Sequence, residues 1–173
     1  LERWRADVRA ATEWCRARSG RQRLCAVGLR LGGSLVALES ARERAFDAAV
    51  LWDPVVSGRE YLDELQALER HFRASLPGGA GASPNGTSEV LGFPYPPELQ
   101  SGLASLSLAA ARSRGTRAAL WVRTGAALAG TSLALGCARE DRVSVADPRI
   151  WMEDADKALV PTEAIAAIVD WLG

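Results

Sequence analysis

The sequence predicts an α/β protein built on an open parallel sheet with flanking helices, and three observations predict it. The apolar run Leu24-Cys25-Ala26-Val27 passes through a Gly-rich turn, Gly28-Leu29-Arg30-Leu31-Gly32-Gly33, into an Ala/Leu-rich segment. That is the pattern of a buried strand feeding a helix. A second apolar run, Phe46 to Trp52, ends at Asp53-Pro54 and follows at the spacing of a parallel crossover unit. Strand-like runs return after residue 115, at Arg117 to Arg123 and at Arg142 to Ala146. Ligands on such sheets sit at the carboxyl ends of the strands.

Each element has its own local reason. Residues 1 to about 19 are expected to be helical, with Leu1, Trp4, Val8, Ala11 and Cys15 on the inward face and Gly20 as the stop. The first strand, Arg23 to Gly28, is continuously apolar and so expected to be buried on both faces. Gly32 to about Arg44 is the helix after the turn. Gly58 to Ser75 is amphipathic, with Tyr61, Leu62, Leu65, Leu68 and Phe72 inward. Pro77 to Ser88 reads as a loop, Val90 to Phe93 as an extended piece, and Pro97 to Leu106 as a helix with Pro97 and Glu98 in its first turn. A helix is expected over about Gly130 to Arg139, and a closing one from Thr162 with Ile165, Ile168, Val169 and Leu172 inward. The expected domains are an α/β core over 1–53, a helical cap insertion over 54–114 and the C-terminal part of the core over 115–173.

Composition narrows the function classes. With 173 residues, 48% of them hydrophobic, the chain can bury one sizeable core. Its 21 basic and 21 acidic residues cancel, which removes bulk attraction to nucleic acid or to an anionic membrane. Cys15, Cys25 and Cys137 have no metal-ligand spacing and read as reduced thiols of a cytoplasmic protein. No run reaches transmembrane length and no signal peptide pattern opens the chain. Met152 is the sole methionine, so the chain is expected to begin partway into a longer protein.

The Gly-rich turn carries the chemistry. Gly28 and Gly32 each stand two residues from Arg30, the bracket of a nucleophile elbow, whose central residue sits on a strained strand-to-helix turn. The usual pattern is Gly-x-Ser-x-Gly. Arginine stays protonated and is no nucleophile. A hydrolase triad would place an acid and then a histidine at later strand ends. Leu120 to Gly125 offers no acid, leaving Asp53 as an alternative. The segment after the last strand, Asp147-Pro148-Arg149-Ile150-Trp151-Met152, contains no histidine, so Asp147 and Trp151 mark a vestigial His-loop. His71, the only histidine, falls on the amphipathic helix and reads as a surface or cap-packing residue. Ser34 lies past the turn and reads as a helix-terminus hydrogen-bonding group. The glycines do not fit a dinucleotide fingerprint. Neither catalytic residues nor metal nor cofactor are therefore expected.

What remains is a place for an anion. An elbow aims the Leu31 N–H at the pocket, the following helix adds its positive end, and Arg30 would complete a carboxylate or phosphate site. Arg30 could instead be neutralised by Asp53 at the neighbouring strand end. Both hold if a ligand displaces the pair. Arg30 is expected at positive φ with its guanidinium within reach of Asp53.

With these residues in view, the chain resembles the exosortase A system-associated hydrolases of the second type, bacterial α/β-hydrolase-like proteins encoded beside exosortase and exopolysaccharide genes. Gly28-Leu29-Arg30-Leu31-Gly32-Gly33 is similar to that family's Gly-Leu-Arg-Leu-Gly elbow. Leu51-Trp52-Asp53-Pro54-Val55-Val56-Ser57-Gly58 is similar to its Trp-x-Pro-Val-x-x-Gly segment, and Trp151 and Pro161 are similar in layout. The resemblance implies a partial α/β-hydrolase fold with a small cap, its early strands and second oxyanion donor lying upstream. It also implies hydrolase activity, which the residues do not support. A catalytically degenerate member is expected, binding a small acyl or anionic ligand or a protein partner of the exosortase and exopolysaccharide system. The alternatives are a serine-type ester or acyl hydrolase with reagents outside this segment, and an interaction module using the cap's apolar face.

Overall fold

The computed structural model describes residues 1–42, 45–75, 89–90, 92–125, 133–150 and 159–173. The chain divides into two compact units, Val56–Ser107 with Leu1, and Glu2–Val55 with Leu108–Gly173.

The larger unit is a parallel sheet. Strands β1 (Cys25–Leu29), β2 (Ala48–Trp52), β5 (Ala118–Thr124) and β6 (Arg139–Val145) pair in the order β1-β2-β5-β6. Helix α2 (Leu31–Glu39) connects β1 to β2, and α1 (Glu2–Ser19) and α5 (Thr162–Leu172) flank the sheet. Alternation sorts the side chains into two layers. Ala49, Leu51, Ala119 and Trp121 pack with Val36 and Ala37 of α2 and with Leu108 and Leu135. On the opposite face Val50, Trp52, Leu120 and Val122 pack with Ala164 and Ile168 of α5.

Helix α5 is also held by polar contacts. The Trp171 indole N–H donates to Asp141 over 2.6 Å, and the Arg139 guanidinium lies 5.3 Å from the Trp171 ring centre. The Trp171 and Arg139 hydrogen bonds hold the Asp141 carboxyl below its usual range. At the other end, Asp147 accepts from the Glu163 and Ala164 backbone N–H groups. Glu163 accepts in return from the Ala146 N–H, a reciprocal cap assembled across the strand-to-helix connection.

Helix α1 docks by charge. None of its residues is fully buried. Arg5 Nε donates to Glu39 Oε1 over 2.6 Å, Arg9 Nη1 lies 3.3 Å from the same oxygen, and Arg16 Nη2 donates to the Ala45 carbonyl over 2.9 Å. Glu39, at the end of α2, has a side chain only 2% exposed and is also approached by Arg42.

The smaller unit contains α3 (Gly58–Ser75), a two-stranded antiparallel ribbon of β3 (Glu89–Val90) and β4 (Phe93–Pro94), and α4 (Pro97–Ala104). Leu65, Val90, Leu103 and Leu106 are its buried apolar residues.

Five expectations are corrected. Strand β1 is an edge strand and is not buried on both faces: Cys25, Val27 and Leu29 alternate outward, with Val27 53% exposed. An apolar run marks two buried faces only where another strand or helix reaches both. In α1, Trp4 and Ala11 face outward and Arg5, Arg9 and Arg16 turn inward, the first two to the buried Glu39 carboxylate and Arg16 to the Ala45 carbonyl. The face of α5 is Ala164, Ile168 and Trp171, leaving Ile165, Val169 and Leu172 exposed; Phe72 of α3 is exposed likewise. Of the helix expected over Gly130 to Arg139, residues 133–138 are irregular and Arg139 already begins β6. Gly136 there adopts φ +75, and Glu140 accepts from the Gly136 and Cys137 N–H groups. A left-handed residue is incompatible with a helix interior.

Candidate site at the carboxyl edge of the sheet

Arg30 links β1 directly to α2, with φ 52 and ψ −123. The turn is as tight as the glycine spacing predicts, but the bracket is shifted by one residue. A Cβ at Gly28 would stand 2.5 Å from the Gly32 carbonyl group and the Gly33 nitrogen. A Cβ at Gly33 would stand 2.8 Å from the Gly28 carbonyl oxygen, whereas one at Gly32 would meet no atom within 4 Å. Gly28 and Gly33 therefore allow strand and helix to touch, and Gly32 borders open space. The Arg30 backbone is pinned on both sides. Its N–H donates to the Trp52 carbonyl over 2.9 Å, and its carbonyl receives the Ser34 N–H over 3.2 Å and the Val55 N–H over 3.4 Å.

The next strand end repeats the strain. Asp53, one residue past β2, has φ 41 and is 5% exposed. Its N–H donates to the Val122 carbonyl, and its carboxylate accepts from the Thr124 N–H over 3.1 Å and from the Thr124 hydroxyl. Two non-glycine residues at positive φ, on adjacent strand ends, are a concentration of backbone strain of the kind found at binding and catalytic sites. On the α5 face of the sheet, the indole N–H of Trp52 is buried with no acceptor among the described residues, a costly state for a donor. Gly125, at the end of β5, has φ +79 and lies against the Arg149 side chain.

The remaining sequence-derived site residues have other work. Leu31 and Gly32 form the first turn of α2, whose opening N–H groups have no intrahelical partner. Ser34 is fully buried, and its hydroxyl donates to the Val55 carbonyl over 2.7 Å; it has no path to a substrate. The Asp147 carboxylate is engaged in capping α5. Trp151 lies outside the described residues. His71 is exposed on α3. Desolvation pushes the Cys25 and Cys137 thiols above the usual thiol range, which disfavours their nucleophilic thiolate forms. Thr124 and Gly33 were not singled out from the sequence. The parallel register, which pairs Trp52 with Val122, is what brings Thr124 to Asp53.

Truncating Asp53 tests how far this edge depends on it. Asp53→Ala is expected to destabilise the protein by about 3 kcal/mol, since two buried donors lose their acceptor and alanine tolerates positive φ poorly. Asp53→Asn should cost about half as much, as read from urea midpoints.

No family model, curated protein or solved structure matches this chain.

Proposed function

We propose that the chain is an α/β-hydrolase-type protein of the exosortase A-associated kind, catalytically degenerate, which holds a small acyl or anionic ligand at the carboxyl edge of its sheet. The carrying observation is Arg30 at φ 52, ψ −123 between strand and helix, the place an elbow gives its nucleophile. A permanent cation there binds and cannot attack. The opening N–H groups of α2 supply further donors, and the space bordering Gly32 leaves room for a ligand beside them. An ion pair between Arg30 and Asp53 in the absence of ligand belongs to this reading, with the ligand displacing it. The setting would be the bacterial cytoplasm, with ligand or protein partner drawn from exopolysaccharide or protein-sorting physiology. Among the described residues no helix is long and apolar enough to cross a membrane.

The test is hydrolysis of a short-chain p-nitrophenyl ester by the protein and by its Arg30→Ser variant. Neither is expected to turn over above buffer, because no histidine follows the last strand to serve the serine as its base. Turnover by the parent that persists through further purification would sink the reading. It would favour an ester or acyl hydrolase whose reagents lie outside these residues.

A further inference from the structure

A second cationic locus lies where α1 crosses the end of α2. A cavity of about 170 Å³ opens there, lined among others by Arg9, Arg16, Arg42, Glu13, Glu39 and Phe46. Glu39 is the floor. Its oxygens receive Arg5 Nε at 2.6 Å, Arg9 Nη1 at 3.3 Å and Arg42 Nη1 at 3.5 Å. Three guanidiniums thus converge on one buried carboxylate, and Arg16 stands beside them with Nη2 on the Ala45 carbonyl.

The charge does not balance. Three arginines line the cavity against two carboxylates, and the nearby Arg5 is shared between Glu39 and Glu2. Nor are the donors consumed. Each guanidinium carries five N–H groups in a rigid fork. Among the described residues Arg9 and Arg42 use only Nη1, and Arg16 only Nη2. Glu39 gathers the forks, and their remaining N–H groups are left for something else. The volume falls below the roughly 300–1,000 Å³ of drug-sized ligand sites, which limits the occupant to a compact group.

We propose that the cleft between α1 and α2 binds a tetrahedral dianion, phosphate or the terminal group of a phosphomonoester, through Arg9, Arg16 and Arg42. The site is independent of the proposed carboxyl-edge site, since α2 separates Glu39 from Arg30 by its whole length. Arginine forks match phosphate oxygens bidentately, three forks can share one tetrahedral group, and one of its negative charges offsets the single excess positive charge among the described residues.

The test is an NMR titration of the arginine Nε–H resonances at constant ionic strength. Inorganic phosphate forms one arm and glycerol 3-phosphate the other. Saturable shifts at Arg9, Arg16 and Arg42 below about 10 mM are expected, with the tighter arm naming the source of the anion. Arg42→Gln should weaken binding by about tenfold; its side chain is 51% exposed, so the fold tolerates the change. Arg59→Gln, at an exposed position of α3, should leave binding unchanged. Shifts that stay linear in both arms, or binding untouched by Arg42→Gln, would overturn the proposal. Binding lost in Arg30→Ala and kept in Arg42→Gln would place the anion at the carboxyl edge, overturning this site while sparing the other.

Discussion

Gly28→Ala is expected to cost at least about 3 kcal/mol, a large share of the 5–15 kcal/mol that holds a typical domain together. The added Cβ would stand 2.5 Å from three backbone atoms of Gly32 and Gly33. Backbone cannot rotate aside as a side chain can, so either β1 or α2 must move. Both are fixed, the first by its ladder to β2 and the second by the Ser34 hydroxyl on the Val55 carbonyl. Gly32→Ala is the control. It meets no atom within 4 Å and should lie within about 1 kcal/mol of the parent, on the stabilising side, because alanine favours the helix. Urea denaturation of both variants separates them. Equal midpoints would mean that strand and helix do not touch as described.

Glu39→Gln is the second large effect, expected to cost about 2 kcal/mol. Removing one partner of a fully buried pair typically costs about 3–5 kcal/mol. Here Arg5, Arg9 and Arg42 are 24%, 30% and 51% exposed, and solvent screening reduces the figure. The loss should be local in character. Helix α1 has no fully buried side chain and reaches the core with half-buried Val8, so its hold on the sheet unit rests in large part on this carboxylate. Hydrogen exchange is the direct reading: amides of α1 should open faster in the variant while those of β2 and β5 stay protected. Uniform acceleration across the sheet would show that Glu39 supports the core as a whole.

The sheet was legible because its strands are apolar runs cut off by polar turn residues. Phe46 to Trp52 and Arg117 to Arg123 could be read to within a residue or two of β2 and β5. The strained turn was legible too, since few conformations suit glycines spaced around a central residue. What could not be read depended on partners distant in sequence. Val27 looks like core in a one-dimensional reading and is exposed because β1 has no neighbour beyond it among the described residues. Arg5 and Arg9 look like solvent-facing charges and turn inward for a glutamate thirty or more positions away. Glu39 left one trace, as the only charged residue in the apolar stretch Leu31–Glu39. Asp53 was singled out as an acid, but its use by Thr124 emerges only from strand register.

Strand β1 has one further consequence, colloidal in kind. Among the described residues no strand pairs with the outer edge of β1, and wherever that edge is left unpaired a short strand with outward Val27 and Leu29 is a template for association. Arg21 and Arg23 stand just before it and Arg30 just after, a fence of like charge around five residues. Two such edges approaching each other meet arginine against arginine before valine can meet valine. The fence is electrostatic and its reach is the Debye length, about 10 Å at 0.1 M salt. Salt thus sets how well this edge is guarded.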